Sequence, residues 1–366
     1  MMLIENLLDV DVLREHVQSG VVNETPNRFW GHVKIYNYGH KAQFNPELWD
    51  DVTEVCRGLI VNWDTGEVLA RPFRKFFNLN TSYRPETYTD CLPASDFIAT
   101  EKLDGSLGIL WRYDGEPFVA TRGSFSSSPA RWATEYFKKN CTDIYPVSHT
   151  PLFEVIYPEN RIVVKYERHE LALLGLVNIE DGSELPYSNG LYAYAQVGSP
   201  VVRRFTGKTV SELVSEERPN EEGYVLTWYR EKQVPFRVKV KFAEYMRIHR
   251  LVTGLSRKAV WEILRTGKTL EEALGDLPDH FKEWANTHTT EIIGKYDAAK
   301  RMAEEAWDSK PETDDRKQLA AHFLKYAQPS PAVCFARLDG KNESEILWKS
   351  ARPRSEDAFK TAVVES

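Results

Sequence analysis

The sequence predicts an α+β protein in which a large body of antiparallel sheet is followed by a smaller all-α C-terminal part. Three observations lead there. Between residues 28 and 242 short β-rich runs alternate with turn residues. No long crossover helices separate those runs, which argues against a doubly wound parallel sheet. From Ala243 onward the texture changes to helix formers with apolar residues three and four apart. A length of 366 residues accommodates two domains, divided here into 1–242 and 243–366.

Taken in order, residues 1–13 carry Glu5, Asp9 and Asp11 where a secretory leader would have a basic start and an apolar run, so no leader or membrane anchor is expected and the protein is expected in the cytoplasm. Strands are expected at 33–38, 59–63, 108–113, 118–121, 152–156, 171–177, 224–228 and 236–242. Asp64-Thr65-Gly66, Asp114-Gly115 and Asp181-Gly182 supply turn chemistry between them. Residues 129–140 have helical spacing and suit a helix that covers one sheet. Further helices are expected at 270–274, 279–285 and 290–307, with 309–316 as an exposed connection and a polar tail after Arg352.

Composition excludes several classes. Hydrophobic residues make up 42%, charged residues 28% and aromatics 12%, the profile of a globular chain and not of a disordered or collagenous one. The four cysteines, Cys56, Cys91, Cys141 and Cys334, have no pair at the short spacing of a zinc or redox motif, so free thiols are expected. A formal charge of −7 argues against coating nucleic acid through bulk positive charge. It leaves room for a local basic groove: Arg237, Lys239, Lys241, Arg247, Arg250, Arg257 and Lys258 are opposed only by Glu244 over 237–258. Alone, that stretch reads as a solvated face.

Some motifs fail on spacing. Gly207-Lys208-Thr209 and Gly267-Lys268-Thr269 match the end of a phosphate loop, but Val202 and Glu262 stand where its first glycine is needed. His169-Glu170 lacks the second histidine of a zinc protease, since position 173 is Leu173. The small polar run 123–129 has no nearby histidine to activate a serine.

What remains is Lys102 in Glu101-Lys102-Leu103-Asp104-Gly105-Ser106, between strand-like stretches. A lysine beside a turn fixed by Asp and Gly is how a protein presents an amine nucleophile. Neighbouring cations and a dry pocket would lower its pKa and free the amine. Val238-Lys239-Val240-Lys241 alternates so that, on a strand, both lysines face one side and both valines enter the core.

Six blocks in order then give the chain a resemblance to the covalent nucleotidyltransferases, most closely the ATP-dependent RNA ligases of the phage RNA ligase 1 type. They are Cys56-Arg57-Gly58; Arg71-Pro72-Phe73-Arg74-Lys75-Phe76-Phe77-Asn78; the Lys102 block; Phe153-Glu154-Val155 with Arg161 following; Glu222-Gly223-Tyr224; and Val238 to Lys241. The resemblance implies an antiparallel-sheet adenylation domain in which Lys102 attacks the α-phosphorus of ATP and carries AMP. It implies nucleotide contacts from Tyr38, Arg57, Lys75, Phe77, Glu101, Gly105, Arg122, Lys239, Lys241 and Tyr245. Of Phe76 and Phe77, one is expected in the core and the other beside the nucleoside. Glu154, as a ribose or metal ligand, and Glu222, as a second carboxylate, are the candidates for Mg²⁺, with Mn²⁺ as an alternative; either could instead partner a basic side chain. At Arg122 the phage type has lysine, so charge is kept and geometry is not.

The implied function is joining of RNA 5′-phosphate and 3′-hydroxyl ends, single-stranded or in nicked tRNA, in RNA repair, with a separate end-healing kinase and phosphatase as possible partners. An mRNA-capping guanylyltransferase using GTP is the related alternative. A catalytically idle RNA-binding protein is the alternative of another class.

Overall fold

The computed structural model describes residues 1–187, 189–195, 198–274 and 279–354. The chain divides into two compact units, Met1–Arg247 and a second from Ile248 onward. Among the described residues no helix is long and apolar enough to cross a membrane.

The first unit holds three sheets. One runs β1 (Val22–Pro26), β2 (Val33–Tyr38), β3 (Arg57–Asn62) and β4 (Glu67–Ala70), antiparallel throughout. The next contains β7 (Ser106–Tyr113), β8 (Glu116–Thr121), β9 (His149–Ile156) and β10 (Glu170–Asn178) in the order β10-β9-β7-β8, also antiparallel. The last is built from β5 (Phe77–Asn78), β6 (Ile98–Lys102), β11 (Arg204–Phe205), β12 (Gly223–Trp228) and β13 (Phe236–Lys241), ordered β11-β6-β12-β13-β5. Its single parallel pairing joins β13 to the two-residue β5.

The first two sheets stack face to face. Val33, Ile35 and Ile60 meet Ile109, Trp111 and Leu152 in one buried cluster, and each large apolar side chain so buried contributes about 1.5–3 kcal/mol. Helix α1 (Ile4–Leu7) and helix α2 (Val10–Ser19) cover the outer face of the first sheet, where Ile4, Leu8 and Leu13 pack on Tyr36, Leu59 and Val61. Asp9 caps α2 by accepting from the N–H groups of Asp11 and Val12. After the short helices α3 (His40–Phe44) and α4 (Asp51–Val55), helix α5 (Ser128–Asn140) covers the outer face of the second sheet through Ala133 and Phe137. Ser127 caps α5, so the run 123–129 is helix-start chemistry. Asp114 and Gly115, both with positive φ, form the two-residue turn that joins β7 to β8.

Helices α6 (Asn189–Tyr192) and α7 (Val210–Ser215) complete the connections. Thr209 of the rejected phosphate-loop fragment is the capping-box residue of α7. Helix α8 (Ala243–Gly254) contains the boundary between the units.

In the second unit the described elements are helices: α9 (Arg257–Arg265), α10 (Leu270–Leu274), α11 (Asp279–Asp308), α12 (Arg316–Tyr326), α13 (Ala332–Leu338) and α14 (Glu343–Ser350). Ala299, Ala303 and Ala306 form a stripe along α11 that packs on Leu319, Phe323, Val333, Cys334 and Leu347. Two helices were expected at 279–285 and 290–307, and the intervening residues 286–289, Asn-Thr-His-Thr, are weak helix formers. The structure has one helix there. Ala285 and Ile292, seven residues apart, are both buried on one face, and that packing outweighs propensity.

Candidate active site

Lys102 is the last residue of β6, and Leu103-Asp104-Gly105 carries the chain across to β7 in the next sheet. That crossing is tightly held. One Asp104 oxygen accepts from the backbone N–H groups of Val163 and Val164 at 2.7 and 2.8 Å. Its other oxygen accepts from the Tyr245 hydroxyl at 2.8 Å, while the Asp104 N–H donates to the Tyr166 hydroxyl at 3.0 Å. Gly105 is required by close approach: a Cβ there would stand 2.7 Å from the Val155 carbonyl oxygen. Its N–H donates to Glu154 Oε1 at 2.9 Å.

Gly223 opens β12, the strand between β6 and β13, and pairs in register with Lys102 on one side and Lys241 on the other. A Cβ at Gly223 would fall 2.0 Å from the Val240 carbonyl oxygen, and its φ is +147°, so only glycine fits. The residue before it, Glu222, therefore delivers its carboxylate between the two flanking lysines. Lys102 Nζ lies 2.6 Å from Glu222 Oε2 and Lys241 Nζ lies 2.8 Å from Oε1, with Glu222 only 2% exposed.

These contacts reverse one expectation. Burial alone would lower the Lys102 pKa, but Glu222, Glu154 and Asp104 together raise it. In this arrangement Lys102 is a protonated ammonium. Burial raises the Glu222 carboxyl, and Lys102 and Lys241 outweigh it and bring it down. Glu154 is pushed up to about 7 by burial and by the charges of Glu222 and Asp104, with Lys102 opposing.

The second half of the site is cationic. Val238 and Val240 are buried, while Lys239 and Lys241 share the opposite face of β13. Lys239 is held far below the usual lysine range by burial and by Lys75, Arg57, Lys102 and Lys241. Arg57 begins β3 and Arg122 follows β8, so two stacked sheets each contribute a guanidinium. Burial lowers Arg57 to about 10. Arg57 Nη1 and Arg122 Nε are buried and have no hydrogen-bond partner, which is costly for charged donors in a protein interior. The Tyr38 hydroxyl accepts from Arg122 and, at 3.3 Å, from Lys75. Burial would raise Tyr38, yet Arg122, Lys75 and Arg57 lower it to about 8. Five cations converge here with no carboxylate paired to Arg57, Arg122, Lys75 or Lys239 among the described residues. The arrangement suits a polyanion.

Not every predicted residue joins this cluster. The Glu101 side chain turns to the opposite face of β6 from Lys102, because neighbours on a strand alternate, and it pairs with Arg203 at 3.4 Å. A cavity of about 1050 Å³ opens on that face, lined by Glu101, Leu103 and Tyr166 among others. Of its four cations, Lys165, Arg168 and Arg203 are matched by Glu167, Glu170 and Glu221, and Arg161 donates to the Val163 carbonyl at 3.1 Å. Of the two phenylalanines, Phe76 lies under Arg57 and Lys239, at 5.3 and 4.7 Å from its ring centroid. Phe77 instead sits among Trp49, Tyr83 and Arg84. Tyr245 acts on Asp104 through its hydroxyl, with Lys241 5.2 Å from its ring.

A divalent cation is implied by the nucleotide chemistry expected here. Among the described residues no group of three or more His, Cys, Asp or Glu side chains is arranged to hold a metal, and both Glu222 oxygens are engaged by lysines. Glu154 differs. One of its oxygens meets Gly105 and the other has no partner among the described residues. An ion bound largely by phosphate oxygens and water, with Glu154 as its protein ligand, fits this donor set.

The sequence profile of the RNA ligase family matches residues 55–246, more than half of the chain. The chain belongs to the RNA ligase family. A candidate RNA ligase from Thermovibrio ammonificans is 31% identical over 223 residues, 58% of this chain and 58% of that relative's length. An RNA ligase of Rhodothermus phage RM378 is 23% identical over 365 residues, covering 79% of this chain and 82% of the relative. A solved archaeal ATP-dependent RNA ligase aligns with a TM-score of 0.47 and 14% identity over 92% of this chain and 98% of that one. The family match spans every site residue described above except Tyr38 and Trp49.

Sequence reasoning did not identify Trp49, Tyr166, or the Val163 and Val164 backbone donors. The block containing Arg161 was recognised, but a backbone N–H carries no residue-type signature. Trp49 precedes the first matched block and stood outside any pattern.

Proposed function

We propose that this chain is an ATP-dependent RNA ligase acting through a lysyl-AMP intermediate at Lys102. One observation carries the reading: a half-buried lysine amine lies 2.6 Å from Glu222 and within the field of Glu154, at the edge of a five-cation cluster in which Arg57 Nη1 and Arg122 Nε have no partner. In the first step Lys102 Nζ attacks the α-phosphorus of ATP, a P–N bond forms, and the bond to pyrophosphate breaks. The AMP then passes to an RNA 5′-phosphate, and attack by a 3′-hydroxyl on that adenylate forms the phosphodiester and releases AMP.

Lys102 must first lose its proton, which Glu222 and Glu154 now retain electrostatically. A divalent ion, Mg²⁺ or Mn²⁺, would be held by Glu154 and phosphate oxygens and would supply charge neutralisation to the triphosphate. Arg57, Lys75 and Arg122 are assigned to the phosphates that leave. Lys239 and Lys241 are assigned to the charge that develops at the α-phosphate. Tyr38 orients Arg122 and Lys75, Gly105 and Tyr245 fix the crossing beside Lys102, and Glu101 contributes through the backbone of β6. Phe77 acts through Lys75 and not through the nucleoside.

The helical part from residue 243 onward is proposed as a domain that shapes the choice of RNA. Chains with 5′-phosphate and 3′-hydroxyl ends, single-stranded or from nicked tRNA, are the substrates. Cleaved RNA with other termini would need a kinase and a phosphatase first, in a repair setting placed in the cytoplasm.

The test is intact mass after incubation of purified protein with Mg²⁺ and ATP, with GTP in parallel, beside Lys102→Ala. The expected result is one added AMP that is absent from the variant. Addition of GMP would replace this reading with a capping guanylyltransferase. No adduct with either nucleotide, in protein free of prior adenylation, would leave an RNA-binding protein without turnover.

A further inference from the structure

Lys75 is half-buried, and burial together with the charges of Arg57 and Arg122 lowers its pKa, with Tyr38 opposing. Among the described residues no carboxylate pairs with it, and its hydrogen bond is to the Tyr38 hydroxyl. What surrounds the ammonium is aromatic. Its Nζ lies 4.7 Å from the Tyr38 ring centroid, 4.8 Å from that of Trp49 and 5.4 Å from that of Phe77. Three π faces around one cation make a box that favours the charged form, and indole gives the strongest attraction of the three.

Trp49 is the wall that touches both others. Its ring meets Tyr38 edge-on at 4.8 Å and Phe77 at 5.5 Å with an interplanar angle of 89°. Arg84 also lies 4.3 Å from the Phe77 ring and pairs with buried Glu54. The Glu54 carbonyl also accepts the Lys75 N–H at 2.8 Å. Trp49 itself is set by its neighbour Asp50, which caps α4 and pairs with His16 at 2.7 Å. The Trp49 Nε1–H is buried with no acceptor. An indole placed for its own hydrogen bonding would not be left so; this one is placed for its face.

From this geometry we infer that Trp49 is a positioning residue of the ligase, one that keeps Lys75 charged and aimed at the outer phosphates of ATP. The inference rests on the reading given under Proposed function. It concerns only the step that uses the triphosphate, because joining of a pre-adenylated RNA involves no pyrophosphate. That difference separates positioning from a general loss of structure.

The experiment compares the full-length parent with Trp49→Leu and Trp49→Phe in two assays: adenylation of the protein over a range of ATP concentrations, and joining of pre-adenylated RNA without ATP. Trp49→Leu is expected to raise the KM for ATP about 10-fold, with kcat and pre-adenylated joining within about 2-fold of the parent on the same scale. Trp49→Phe, which keeps a weaker π face and drops the N–H, is expected to recover most of the KM. An unchanged KM in Trp49→Leu would overturn the inference. So would equal losses in both assays, or a Trp49→Phe variant no better than Trp49→Leu. The parent in the same experiment tests the underlying reading separately, since its failure to adenylate would overturn that reading and this inference with it.

Discussion

Replacing Glu222 by Gln keeps the shape of the side chain and removes the charge that Lys102 and Lys241 share. The two contacts are 2.6 and 2.8 Å long, and Glu222 is 2% exposed, so solvent screens them little. At an effective dielectric of about 20, each pair carries roughly 6 kcal/mol of Coulomb attraction, most of which offsets desolvation. Removing the shared partner leaves two ammonium groups side by side in a partly dry site, and breaking a buried pair in this way costs about 3–5 kcal/mol. The expected result is that loss in urea unfolding of Glu222→Gln at pH 7, followed through the first unit. Adding Lys241→Met should restore at least about 1 kcal/mol, because the second change removes one of the stranded charges. A direct check on Lys102 is its rate of labelling by an amine-specific reagent near pH 9, which should rise in Glu222→Gln as the main influence raising its pKa is lost. A stability loss under about 1 kcal/mol, or labelling no faster than in the parent, would refute the clamp.

Three further outcomes follow from the same geometry. The Glu154 carboxyl is raised from 4.5 to about 7, so between those values the folded state binds more protons than the unfolded one and stability falls as pH rises. Glu154→Gln should therefore gain on the parent between pH 5 and pH 8, by up to about 3 kcal/mol, in melts run at both pH values. Lys239 is crowded by four cations, and Lys239→Met should stabilise the protein by about 1–3 kcal/mol while abolishing adenylation, measured by thermal unfolding and by mass. Tyr245→Phe removes the 2.8 Å donor to buried Asp104; a loss of about 1–3 kcal/mol is expected, again by thermal unfolding, and no loss would mean that Asp104 does not depend on it.

The strands were legible because their signal is local. Turn residues at Asp114-Gly115 and the alternation in Val238-Lys239-Val240-Lys241 fix a hairpin and a facing pair of lysines without reference to the rest of the chain. The long helix α11 reads as two because the four-residue stretch 286–289 cannot announce the partners that hold it together. Helix α2 and strand β1 also went unread. The first has its pattern in plain view, Val10, Leu13 and Val17 at helical spacing between the Asp9 cap and Gly20; the second is an edge strand with little alternation.

At the site, the limit of sequence reasoning lay in sign. Alternation applied to Lys239 and Lys241 places both correctly, and the same rule applied to Glu101 and Lys102 sends their side chains to opposite faces. Resemblance grouped those two residues because they are adjacent in a motif, whereas the strand separates them because they are adjacent in sequence. The pKa of Lys102 shows the same difference. A list of nearby basic residues suggests a lowered value, yet Gly223 brings Glu222 within 2.6 Å while the other cations gather around Lys239 and Arg57. One glycine without a side chain thus sets which charge stands beside Lys102: it lets Glu222 reach the amine, and the ammonium is the favoured form.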